Sequence, residues 1–210
     1  MSFHGWLLLF TQCVKNVAYV RVGEYNLSTE LDCIGDETVG IDCLNNTQDF
    51  EVGETKVHEN FTMSADFIIN DIALIRLKKK VDFSFDNIGP ICLPIPEQDI
   101  TKNRGKIVVW GLNKPNYTVM RKYDIWLTPL EECYKKCNSP SSLKDIKLMS
   151  EYCVRKEDIY NADIGGPLMF RTFGNNRLAQ HGVASRETAE CVFYTNVADY
   201  IYWILENIRE

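Results

Sequence analysis

Only the last stretch of this 210-residue sequence repeats its apolar residues with a helical period. Val197, Tyr200, Ile201, Ile204, Leu205 and Ile208 recur at three- and four-residue spacing, as on one face of an amphipathic helix. Upstream, the apolar residues fall in short β-rich runs bounded by turn residues, such as 17–22, 106–110 and 178–184. A chain built this way buries its core between antiparallel strands, so the expected class is an all-β barrel or sandwich closed by one docked helix. No repeat and no Ser/Gly linker interrupts it. At 45% hydrophobic and 25% charged, the chain has an ordinary globular composition, with length enough for one or two subdomains.

The formal charge of -6 argues against a nucleic-acid partner, which needs a clustered basic face. The one basic run, Lys78-Lys79-Lys80, reads as a solvated strand end. The apolar run 6–10 is too short for a membrane span or a secretory leader, so no membrane partner is expected. Eight cysteines with no C-x-x-C pair fit a disulfide framework better than a zinc site, which implies an oxidising, extracellular setting. Four glycosylation sequons, at Asn26, Asn45, Asn60 and Asn116, point the same way. The acidic segment 32–49 has a cysteine near either end and reads as a surface loop tied at its base by Cys33 and Cys43. A calcium site drawn from Glu24, Asp32 or Asp49 is the alternative, but their spacing matches no compact calcium loop, so no metal or cofactor is expected.

Four ordered motifs carry a resemblance that covers nearly the whole chain. Asn70-Asp71-Ile72-Ala73-Leu74 and Pro90-Ile91-Cys92-Leu93-Pro94 come first, followed by Asp163-Ile164-Gly165-Gly166-Pro167-Leu168. Tyr194-Thr195-Asn196-Val197 with Tyr200-Ile201-Tyr202-Trp203-Ile204 closes the series. Together they resemble the chymotrypsin/trypsin-like serine protease family (peptidase S1). Gly23-Glu24-Tyr25-Asn26 and the Cys33 to Cys43 loop resemble the family's arthropod clip-domain proteases and homologs. The resemblance implies one S1-like domain over residues 1–210, made of two antiparallel β-barrels and a C-terminal α-helix. Residues 1–95 would form an N-terminally truncated first barrel, 96–195 the second barrel and 196–210 the helix. It also implies a bond between Cys133 and Cys153, and a link from Cys92 to an N-terminal part beyond this chain. Cys191 would bond the residue at Tyr160 in the family, so here it is left with Cys137, a foreign thiol or nothing.

Acyl transfer on this fold needs a hydroxyl nucleophile, an imidazole to take its proton and a carboxylate to orient the imidazole. By resemblance, Gln12 stands at the position of the base, Asp71 at that of the carboxylate and Ile164 at that of the nucleophile. An amide cannot act as a general base near neutral pH, and a hydrocarbon side chain can attack nothing. Removing one essential member of such a triad already costs on the order of 10^6 in turnover. Ala162 replaces the glycine that helps form the oxyanion hole, where a methyl group is expected to disturb the turn. Asp158 matches the acid behind a preference for Arg and Lys, while Val192 replaces the glycine that keeps that pocket open and Tyr160 a half-cystine at its rim. Asp71 is expected to be a hydrogen-bonded structural acid, and His181 and Ser185 to be strand surface or turn.

These positions imply a secreted, catalytically inactive serine protease homolog that works by binding proteins. The resemblance extends this to a cofactor in an extracellular clip-type protease cascade, with proteases or their substrates as partners. Two alternatives compete with it: an S1 endopeptidase with an unconventional site, built on Asp71, Asp158 and Ser185, and a non-functional fragment of a longer protease.

Overall fold

A computed structural model describes residues 6–9, 11–14, 16–36, 38, 40–44, 47–64, 67–96, 98–101, 103–110, 118–137, 150–158, 162–172 and 176–208. Short β-rich runs form the strands, and several end where a turn residue or a charge interrupts them. In the first half these are β1 (Trp6–Leu9), β2 (Tyr19–Val22), β3 (Asp32–Asp36), β4 (Gly40–Leu44), β5 (Gln48–Val57), β6 (Thr62–Met63), β7 (Ile68–Ile69) and β8 (Ala73–Leu77). A short helix, α1 (Thr11–Val14), follows β1. The second half holds β9 (Gly105–Val109), β10 (Arg121–Ile125), helix α2 (Leu130–Lys136), β11 (Glu151–Arg155), β12 (Pro167–Arg171), β13 (Leu178–Glu187) and β14 (Cys191–Asn196). Helix α3 (Ile201–Asn207) closes the chain.

Two antiparallel sheets carry the architecture. The first has the order β1-β8-β5-β2 and the second β10-β9-β12-β13-β14-β11. Alternation decides which face of each is inside. In β9 Gly105, Ile107 and Val109 are buried, while Lys106 and Val108 are only half-buried. The second core gathers Ile107, Val109, Ile125, Val154, Leu168, Phe170, Val192 and Tyr194; the first gathers Val14, Phe50, Ala73, Ile75, Leu77 and Ile88. A third cluster joins the sheets, with Ile72 and Leu74 from the first half meeting Val183, Val197, Tyr200, Ile204 and Ile208.

The terminal periodicity is only partly helical. A 3-10 turn over Val197–Tyr200 precedes α3, and the Asn196 side chain accepts from the Ala198 amide to cap it. Three residues per turn there shift the buried stripe to Val197, Tyr200, Ile204 and Ile208. Leu205, read as part of the inner face, is 46% exposed because it sits one residue round from Ile204.

β3 and β4 form a separate hairpin in which Cys33 faces Cys43 in register and the two are bonded. Cys133–Cys153 and Cys137–Cys191 are the other disulfides of the described residues, so Cys191 finds the helical cysteine. Cys92 is free and half-buried, held by backbone bonds to Leu178 and Gln180; the Cys13 side chain lies outside the described residues. Among the described residues, no helix is long and apolar enough to cross a membrane.

Candidate functional site

Asp71 organises the junction between the sheets. It follows Asn70, whose φ of 56° is a left-handed conformation that asparagine tolerates, and it is 1% exposed. One carboxylate oxygen accepts from the Thr11 amide at 2.8 Å, the other from the Ser185 hydroxyl at 2.5 Å. The Asp71 carbonyl accepts from the Thr195 hydroxyl at 3.0 Å, and the Thr11 hydroxyl donates to the Ile72 carbonyl at 3.2 Å. Segments separated by 60, 114 and 124 residues are thus pinned to one acid. A buried carboxylate requires such donors, since its desolvation is otherwise uncompensated.

Ser185 and His181 correct the sequence expectation, for neither is strand surface. Ser185 is 3% exposed and His181 1%. Pairing of β13 with β14 skips from Ala184↔Tyr194 to Arg186↔Phe193, leaving Ser185 as the extra residue of a β-bulge. A bulge re-aims the side chain it carries, and this one turns Ser185 toward Asp71. His181 lies in a second bulge, between the pairs Met169↔Gln180 and Leu168↔Gly182, with its ring edge-on to Phe170 at 5.5 Å. Burial lowers its pKa to about 4.

Gln12 follows Thr11 in α1, so its backbone sits beside the acid; its side chain lies outside the described residues. Ile164 is half-buried and packs on the cluster that joins the sheets. Gly165 beside it has a φ of 91°, donates its amide to the Ala184 carbonyl at 2.7 Å, and lets the loop turn back into β12. The Gly166 amide donates to the Asp163 carbonyl at 2.8 Å, and the Asp163 carboxylate accepts from the Trp110 amide at 2.5 Å. Ala162 is 4% exposed, with its methyl group in the second core.

The specificity-pocket positions separate. Val192 is fully buried in the second core and faces Glu187 across the ladder, where β13 and β14 are joined by residues 188–190 alone. Asp158 ends a 3-10 turn, Lys156–Asp158, with its side chain outside the described residues, as is all of Tyr160. Sequence reasoning missed the neighbouring group of Arg186, Glu151 and Tyr134. The Arg186 guanidinium lies 3.6 Å from the Phe193 ring centroid and donates to Glu151 at 3.1 Å and to the Tyr134 hydroxyl at 3.2 Å. Tyr134 also donates to Glu151 at 2.9 Å. Burial pushes the Glu151 carboxyl up, and the Arg186 charge pulls it back down. The only sequence signal was a charge, Glu151 or Arg186, beside apolar residues in each of two β-rich runs.

The acids considered for calcium are occupied by donors of the chain itself. Asp32 and Glu24 accept from the amides of Tyr25 and Asn26. Asp49 takes both Nε and Nη2 of Arg21, at 2.7 and 2.8 Å. Lys78 pairs with Glu51 at an exposed strand end. Of the sequons, Asn60 is exposed and Asn26 half-buried, while Asn45 and Asn116 lie outside the described residues. An apolar groove of about 590 Å3 opens between β1 and the end of β2, lined by Trp6, Leu8, Val22, Leu74, Phe83 and Ile204.

Comparison with known proteins agrees with this architecture. The Trypsin family profile matches residues 6–204. The chain is 30% identical to melanization protease 1 of Drosophila melanogaster over 98% of its own length and 56% of that protein. It is 27% identical to phenoloxidase-activating factor 3 of Holotrichia diomphalia, over 97% of this chain and 61% of that one. The crystal structure of the Drosophila Grass clip serine protease of the Toll pathway superposes with a TM-score of 0.77 at 25% identity, covering 96% of this chain and 60% of that one. The chain therefore spans little more than half the length of the relatives it matches. With two curled antiparallel sheets, a closing helix and a family match from Trp6 to Ile204, this chain belongs to the trypsin family, and it is similar to clip-domain serine proteases of arthropods.

Proposed function

We propose that the chain is a catalytically inactive serine protease homolog, secreted and acting through protein binding. The observation that carries this reading is Ile164, a hydrocarbon packed on the inter-sheet cluster where the family resemblance expects the nucleophile. Gln12 at the position of the base, Ala162 in the oxyanion turn and Val192 filling the core at the pocket wall support it. Ser185, the one hydroxyl the enzyme alternative could use, is buried and spends its proton on Asp71. Its oxygen is held as a donor to a structural acid, not presented to a substrate.

Protein binding is supported by the first sheet. Its terminal strands, β1 and β2, run antiparallel and border the apolar groove. Closing such edges by antiparallel pairing takes an even number of strands, so the groove suits a β-hairpin with an apolar inner face. On this reading the partners are extracellular proteases or their substrates, in a cascade of the melanization or phenoloxidase-activating kind, a reading supported by similarity to melanization protease 1 and phenoloxidase-activating factor 3. The half-buried Cys92 supplies a thiol for a covalent tie to a clip-bearing segment.

Exposure to fluorogenic Arg and Lys peptides and to serine-directed phosphonylating probes tests the reading. No turnover and no adduct are expected; stoichiometric labelling of any serine would overturn it.

A further inference from the structure

The net charge of -6 conceals a basic pocket on the second sheet. Two segments supply it, Lys102-Asn103-Arg104-Gly105-Lys106 and Arg171-Thr172-Phe173-Gly174-Asn175-Asn176-Arg177, which hold five cations and no acid. Strand register brings them together. Lys106 pairs with Asp124 of β10 on one side and with Met169 of β12 on the other, and Arg171 lies two residues beyond Met169. Ile107, Ile125 and Phe170 fill the second core, so by strand alternation Lys106, Asp124 and Arg171 stand on the opposite face. There Asn103, Arg104, Lys106, Arg171, Asn176 and Leu178 line a concavity of about 370 Å3. Among the described residues, the acid paired with these cations is Asp124, which accepts from Lys106 at 2.5 Å and lies 3.3 Å from Arg104. Lys122, two residues before it on the same face of β10, adds a further charge. Lys106, Arg104 and Lys122 together hold the Asp124 carboxyl below its ordinary range. Arg171 pairs with no carboxylate of the described residues. Its Nη1 donates instead to the Asn176 carbonyl at 2.6 Å, which tethers the guanidinium to the turn where Asn176 takes a φ of 56°.

We propose that this pocket binds a sulfated glycosaminoglycan. A guanidinium presents a planar fork of donors that meets an oxyanion with two parallel bonds, and a lysine adds a point charge. Arg104 precedes β9 and Arg171 ends β12, so two such forks reach the pocket from adjacent strands. The cations of β10, β9 and β12 extend over two strand spacings, about 10 Å across the sheet. That is wider than one oxyanion and suits a chain that carries sulfates at intervals. Sulfate esters stay ionised throughout the physiological pH range, so the charge they offer these cations is constant. The acidic remainder of the molecule repels a polyanion and confines it to this face. The choice of a glycan as the source of the sulfates rests on the secreted setting proposed above; the pocket does not.

The test follows binding of a fluorescein-labelled heparin hexasaccharide to the full chain by anisotropy, at low and at physiological salt, with a thermal midpoint for each variant. The expected result is saturable binding that weakens as salt rises. Arg104→Ala/Arg171→Ala should weaken it by about tenfold or more, the loss of charge-assisted bonds to sulfate. Lys78→Ala/Lys79→Ala, at the separate basic run, should leave the affinity within about twofold. Asp124→Asn removes the acid that competes for Lys106 and Arg104 and should tighten binding about threefold, a gain that misfolding cannot imitate. Equal affinity for the desulfated hexasaccharide, for single-stranded DNA or for polyglutamate overturns the proposal, as does unchanged binding by Arg104→Ala/Arg171→Ala or by Asp124→Asn. The assay reads no hydrolysis, so its outcome is independent of whether the chain is catalytically inactive.

Discussion

Ser185→Ala isolates the bond that holds the two halves of the molecule to one acid. The substitution removes a 2.5 Å donor from Asp71 and leaves a carboxylate that is 1% exposed with the Thr11 backbone amide still donating to it. A hydrogen bond to a charged group contributes about 1.5–3 kcal/mol, and water cannot enter to replace it at such burial. We expect a loss of about 2 kcal/mol. For a domain of this size each kcal/mol moves Tm by about 2–4 °C, so the midpoint should fall by about 4–8 °C. Urea unfolding followed by tryptophan fluorescence gives the free energy, and calorimetry the midpoint. The partner variant Asp71→Asn completes a double-mutant cycle, in which the coupling between the two positions should exceed about 1 kcal/mol. A loss below about 0.5 kcal/mol for Ser185→Ala, or additivity in the cycle, would refute the claim that this serine serves Asp71.

Burial of the His181 imidazole lowers its pKa from 6.5 to about 4, so the unfolded chain takes up the proton first. Stability should be full above pH 6.5 and fall by about 3 kcal/mol on acidification to pH 4, and His181→Leu should flatten that limb in pH-resolved urea titrations. Gly166→Ala would place a Cβ 2.8 Å from the Asp163 carbonyl oxygen and 3.3 Å from that of Val108. Neither backbone atom can step aside cheaply, so a loss on the order of 2 kcal/mol is expected, with a similar midpoint measurement as the check. Restoring both Gln12→His and Ile164→Ser should not produce cleavage after Arg or Lys. Ala162 and Val192 remain packed in the core, and oxyanion donors worth about 3 kcal/mol each depend on the turn that Ala162 occupies. Cleavage by that double variant, absent from the parent, would show the pocket and oxyanion hole to be intact.

The sequence carried the β character, the closing helix and the trypsin-like motifs, because each depends on spacing between near neighbours along the chain. The β-rich run 106–110 and the run Asp163-Ile164-Gly165-Gly166 are legible without knowing what they touch. The positions of Gln12, Asp71 and Ile164 followed from those motifs, and the Cys33–Cys43 loop from its short separation.

What the sequence could not decide were the contacts made across long separations. Ser185 is an ordinary strand residue by pattern, and only a bulge one residue long turns it 114 positions back to Asp71. Nothing local links Arg186 with Glu151, and only the register of β11, β14 and β13 brings them together beside Phe193. Cys191 had three open fates, and its bond to Cys137 was settled by α2 lying across the strands. Local propensity and spacing set which segments become strands. Register, bulges and the stacking of α2 on the sheet are set by packing over the whole chain, and these chose the partners of Asp71, Glu151, Arg186 and Cys191.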